Sequence, residues 1–115
     1  MDTAAKPEAK KAGVPTQLGD WRLVRYIPGE HAHFLYASGT RTFSLFLTET
    51  KNSRPLQTQM GWKIVHLTSI LTAFIHRDSH NPEHTAIVFK HQTQRRMIMG
   101  RLSEAELVSL AKPLR

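Results

Sequence analysis

At 115 residues, with 40% hydrophobic side chains, the chain has the length of one domain and enough apolar content to bury a core unaided by disulfides or metal. The lack of Cys excludes disulfides and thiolate metal sites, and no apolar run approaches the roughly 18 residues of a membrane-crossing helix. A net charge of +7 and a pI near 10.3 imply attraction to nucleic acid, anionic lipid or acidic partners, or simply a basic solvated surface; they say nothing about fold.

Residues 1–17 hold Ala, Lys, Pro and Gly but, after Met1, one large apolar side chain, Val14. Such a segment buries too little surface to offset its ordering entropy, so a disordered tail or linker is expected there, with a single domain over 18–115. Trp21, Leu23 and Ile27 in a run alternating with Arg22 and Tyr26 predict a first strand over about 20–27, ended by Pro28-Gly29. The stretch from Ala32 to Thr50 predicts a hairpin. Phe34 and Tyr36 lie on one arm, and Phe43, Leu45 and Leu47 alternate with Ser44, Phe46 and Thr48 on the other, around Ser38-Gly39-Thr40. A polar loop follows at 51–55, and 56–60 reads equally as loop or helical turn.

Three further strands and their turns follow the same logic. The strands are 62–67, 71–76 and 85–91, with a polar turn over 77–83, and a seventh strand over 95–100 follows the turn at 92–94. Short polar links imply an antiparallel meander. Ser103 and Glu106 have capping-box spacing, flanked by Leu102 and Leu107 at staple spacing. Leu107, Leu110, Ala111 and Leu114 then line one helical face until Pro113 stops the helix near Lys112. The fold expected is α+β: a mainly antiparallel sheet of about six or seven strands with the C-terminal helix packed on one face.

No catalytic constellation stands out, and no enzyme activity or cofactor is expected. There is no Gly-x-Ser-x-Gly elbow, no Gly-rich phosphate loop and no paired carboxylates outside the helix cap. His76, His80 and His84 are spaced four apart, which on a helix would align three imidazoles for a metal. Asp78, Ser79, Asn81 and Pro82 disfavour a helix, so the trio is expected in a hairpin, with His80 at the tip, and not as a high-affinity site. Arg22, Arg41, Lys63, Arg77, Lys90, Arg95 and Arg96 lie on or beside strands. Several of them on one face with Tyr26, Tyr36 or Phe46 would grip a nucleic-acid backbone and stack bases. The tight aromatic motif of sheet-based RNA binders is missing.

The runs WRLVRYIP, HFLYASGTRTFSLFLTE, MGWKIVH and RRMIMGRLSEAELVSLAKPL resemble the C-terminal extracytoplasmic domain of membrane anti-sigma factors and the related sigma-E regulatory (RseB-like) proteins. The residues that carry the resemblance are Tyr36, Gly39, Ser44, Leu45 and Phe46, then Leu102, Glu106, Leu107, Leu110, Ala111 and Leu114. It covers about 20–50 and 95–115. The chain shows no sigma-binding helical domain or membrane span, and its His-rich hairpin over 70–91 departs from the pattern. The resemblance implies sensing or scaffolding in an envelope regulatory system and not direct sigma-factor binding. It implies a protein partner of that pathway and an extracytoplasmic (periplasmic) location, with residues 1–17 as a tether; a full-length chain would be cytoplasmic. Self-association into a homo-oligomer is a further partner class. The alternatives are a basic nucleic-acid-binding module and a small His-dependent metal-binding protein.

Overall fold

In the computed structural model, residues 4–49, 61–78 and 80–115 are described. Alternation of apolar and polar residues produces an eight-stranded sheet in which all paired strands are antiparallel. After a short helix, α1 (Ala5–Ala12), come β1 (Gln17–Leu18), β2 (Trp21–Ile27), β3 (Ala32–Ser38) and β4 (Arg41–Glu49). Then follow β5 (Lys63–His66), β6 (Thr72–Arg77), β7 (Thr85–His91) and β8 (Gln94–Gly100), and the chain closes with α2 (Glu104–Ala111) and a 3₁₀ turn, Lys112–Leu114.

The spatial order is β1-β2-β3-β4-β8-β7-β6-β5. This corrects the expected single meander. Two four-stranded meanders are joined where β4 pairs with β8, so β4 and β5, consecutive in sequence, lie at the seam and at the far edge of the second meander. The neighbour rule fails at the one long link in the sheet. The loop expected at 51–55 and the undecided 56–60 lie outside the described residues.

One face of the sheet holds the core. Leu23, Phe34, Tyr36, Phe43, Leu45, Leu47, Ala73, Ile75, Ile87, Phe89 and Ile98 form one buried cluster with Leu107, Leu110 and Leu114 from the C-terminal elements. The capping box is complete: Ser103 Oγ accepts from the Glu106 amide at 3.1 Å, and the Ser103 amide donates to Glu106 Oε1 at 3.0 Å. Leu102 and Leu107 are both buried beside it, as a hydrophobic staple requires.

Residues 5–17 differ from the tail expected over 1–17, and join the domain that begins at Leu18. Ala5, Ala9, Val14 and Leu18 are buried in the same cluster, and α1 packs against β2. Gly13 ends the helix at φ +71°, a left-handed conformation that only Gly adopts freely. The Tyr36 hydroxyl donates to the Pro15 carbonyl at 2.7 Å. Small Ala side chains carry little local hydrophobic signal, yet their size lets a backbone lie close to the sheet.

Candidate functional site

Both helices contribute to the core cluster on one face, so the sheet residues of opposite parity form a second face on which no described helix packs. The pairing register sets a continuous cross-strand row there: Ile64 opposite Phe74, Phe74 opposite Val88, Val88 opposite Met97, Met97 opposite Phe46, and Phe46 opposite His33. Val88, in this row, is buried outside the main core. A parallel row runs through His76, Ala86, Met99, Ser44, Leu35 and Arg25.

Aromatic and imidazole rings brace this face. His33 stacks on Phe46 at 4.4 Å between centroids and 24° between planes, and Trp62 stacks on His76 at 4.4 Å and 10°. The ring of His33 also shares a 2.8 Å hydrogen bond with Ser44 Oγ, and that of His31 a 2.6 Å bond with Thr48 Oγ1. Burial, and then the charge of Arg25, hold the His33 imidazole below its ordinary pKa. The His33–Ser44 pair has the reach of a base and a nucleophile, but among the described residues no carboxylate contacts the ring to orient it, as a triad needs. An open groove of about 520 Å³ adjoins the rows, lined in part by Thr42, Ser44, Phe46, His84, Met99 and Arg101.

The charge on this face has one sign. Arg22, Arg25, Lys90 and Arg95 occupy it by register, and none of its described strand residues is acidic. Of the basic residues expected to act together, Arg22, Lys90 and Arg95 therefore share a face with Phe46. The others do not join them. Arg41 pairs with Glu106 at 2.9 Å and lies over the Trp21 ring, Lys63 pairs with Glu104 at 2.7 Å, and Arg77 donates to the Pro82 carbonyl. Arg96 is buried on the core side. Tyr36 and Tyr26 also point to the core.

The His hairpin is not a convergent set. His76 is engaged with Trp62, while the His80 amide donates to Asp78 Oδ1 in the turn. Among the described residues no group of three His, Asp or Glu side chains is placed to hold a metal ion. A larger open groove, about 900 Å³, lies between α2 and the β1–β2 turn; two of its charged groups, Arg41 and Glu106, are spent on each other.

Arg25, His33, Trp62, Phe74, Met97 and Met99 were not legible as site residues. Their alternation was visible, but which parity the helices cover was not. No family model, no curated protein and no solved structure matches this chain.

Proposed function

We propose that the chain is a non-enzymatic interaction and sensing module whose protein partner docks on the helix-free face of the sheet. The observation that carries this reading is the row from Ile64 to Phe46, apolar across five strands and flanked by Arg22, Arg25, Lys90 and Arg95 with no acid among the described strand residues of that face. Apolar surface supplies affinity, and a single-sign rim selects an acidic partner and speeds encounter. The resemblance to the extracytoplasmic domain of envelope anti-sigma regulators suggests that the partner is a protein of such a pathway, outside the cytoplasm.

The test places a photo-crosslinking residue at Phe46 or, as control, at Lys112 beside α2. Adducts from position 46 alone, followed by at least tenfold weaker binding of the purified adduct partner to Arg25→Glu/Arg95→Glu, support the reading. Equal adducts from both positions, or unchanged binding by the double variant, count against it.

A second reading rests on Arg22, Lys90 and Arg95 sharing a face with Phe46: single-stranded nucleic acid, held by phosphate contacts and stacking. Anisotropy of a labelled oligonucleotide decides it. Affinity that falls steeply with salt and drops in Phe46→Ala favours this reading; no binding at low salt removes it.

A further inference from the structure

The sheet has two edges. β1 is two residues long, and α1 packs against its neighbour β2. β5 is different. Its inner side pairs with β6, and among the described residues no strand pairs with its outer side. A free strand edge presents a row of amide and carbonyl groups ready to pair with another strand. The two exposed large hydrophobic side chains of the described chain lie in the β5–β6 hairpin. Ile64 lies within β5 at 61% exposure, and Ile70 in the following turn at 95%. Single exposed apolar residues need no explanation, but Ile64 stands in the middle of an edge strand whose outer side no described strand covers.

Edge strands are commonly protected by a charged side chain, Lys above all. Lys63 stands at that position, yet its ammonium is turned to Glu104 Oε2 at 2.7 Å and so is neutralised on the helix side of the sheet. The remaining side chains of the strand, Ile64, Val65 and His66, carry no fixed charge.

We propose that β5 pairs with β5 of a second copy of this chain, antiparallel about a two-fold axis through Ile64, making one continuous sheet. The register follows from geometry. An axis normal to the sheet keeps the same face up in both copies, and opposed residues on antiparallel strands share a face. Opposed positions must then have an even sum, which within β5 leaves Ile64 or Val65 on the axis. The Ile64 register sets the exposed Ile64 side chains against each other, Lys63 against Val65, and Trp62 against His66. It opposes no two like charges. The Val65 register sets Ile64 against His66 and leaves less apolar contact. In the Ile64 register the helix-free faces of both copies lie on one side, so the dimer presents two such faces in one surface. The proposal does not depend on what binds there.

A strand edge this short buries well under the roughly 1,200 Å² of a stable interface, so the dimer dissociates on dilution. With +7 on each copy, added salt strengthens it by screening, the opposite of nucleic-acid binding. Sedimentation equilibrium of the whole chain across a wide concentration range, at low and high salt, reads this directly. The chain has no Cys, so Ile64→Cys supplies one thiol per copy for a short thiol-to-thiol cross-linker. We expect a concentration-dependent dimer, stronger at high salt, locked by cross-linking Ile64→Cys and weakened at least tenfold by Ile64→Lys. Ile64 is exposed, so both variants should fold, and circular dichroism checks that. A monomer at every concentration, or a dimer that Ile64→Lys leaves intact and Ile64→Cys does not lock, overturns the proposal.

Discussion

Arg96 Nη1 donates to the Leu114 carbonyl at 2.7 Å, and this buried contact fastens the last turn of the chain to the middle of the sheet. The same guanidinium reaches the Ala12 carbonyl from Nη2 at 3.4 Å and donates from Nε to Gln94 Oε1 at 2.8 Å. Gln94 passes the chain on to Glu49 at 3.0 Å. One side chain thus ties both terminal elements to β8. Burial pulls the Arg96 pKa down, and the nearby Tyr36 and Glu49 oppose that pull. The guanidinium stays charged in any case, because its ordinary value lies so high.

Arg96→Met should therefore cost more than a surface charge would. It leaves the Leu114 carbonyl buried without its donor, a loss of about 1–3 kcal/mol, and it frees the Ala12 contact as well. Urea denaturation should show a lower midpoint, and native-state proteolysis should cut residues 5–14 and 112–115 faster. Arg96→Lys should recover little, since one ammonium cannot serve three acceptors in a plane. An unchanged midpoint would mean that the termini are held by the Ala5, Ala9 and Leu114 contacts alone.

The second half of the chain shows what was legible. The strand at 85–91, the strand expected over 95–100 and found over 94–100, and the capped helix at 104–111 follow from apolar runs bounded by polar turns and from Ser103 and Glu106, which are local signals. The pairing of β4 with β8 was not legible, because it joins residues about fifty positions apart and no local pattern encodes it. The helix at Ala5–Ala12 was missed because its stability comes from Ala5 and Ala9 meeting the sheet and not from its own hydrophobicity. The candidate face was hidden for a related reason. Phe46 and Leu45 look equally apolar in sequence, and only the position of the two helices makes one core and the other surface.

The cap gives a graded prediction. Ser103→Ala removes the acceptor for the Glu106 amide and should cost about 0.5–2 kcal/mol. The Ser103 amide donates to the Glu106 carboxylate and Arg41 pairs with it, so the carboxyl sits below its ordinary pKa, with the amide the larger cause. A lowered folded value means that this stabilisation is full above the unfolded carboxyl value and is lost as the pH falls through the folded one. Thermal unfolding at pH 7 and in acid should show the Glu106→Gln variant losing less stability on acidification than the parent. An equal loss in both would assign the acid sensitivity elsewhere.

Gln92 has φ +57° and is the one non-Gly residue with positive φ among those described, in the two-residue turn between β7 and β8. An L side chain there is strained by its Cβ, and Gly is not. Gln92→Gly should leave stability level or raise it by up to about 1 kcal/mol, whereas Gln92→Val should lower it, since β-branching disfavours this region further. Midpoints in the opposite order would show that the Gln92 side chain contributes a contact outweighing its backbone strain.

The last prediction concerns pH and the candidate face together. Burial first, and Arg25 second, hold His33 below the ordinary imidazole value of 6.5, and burial followed by Arg96 does the same to His91. The folded protein therefore prefers both rings neutral. As the pH falls through 6.5 the unfolded chain takes up these protons first, so the stability contributed by the neutral rings is full above 6.5 and is lost progressively as the pH drops through the lower folded values. The loss should appear as a falling thermal midpoint between about pH 7 and pH 5, shallower in His33→Gln and shallower again when His91→Gln is added. Proton NMR gives the site-specific check: the His33 ring should titrate below 6.5, and Arg25→Gln should raise that midpoint by removing the neighbouring charge. A His33 midpoint at or above 6.5 would contradict the burial of the ring between Phe46 and Ser44. If the midpoint is low, protonation adds a positive charge near Arg25 on a face with no acid among its described strand residues, so an acidic partner should bind His33⁺ more tightly than neutral His33. The thermodynamic cycle then requires bound partner to raise the His33 pKa, which the same titration repeated in complex would measure.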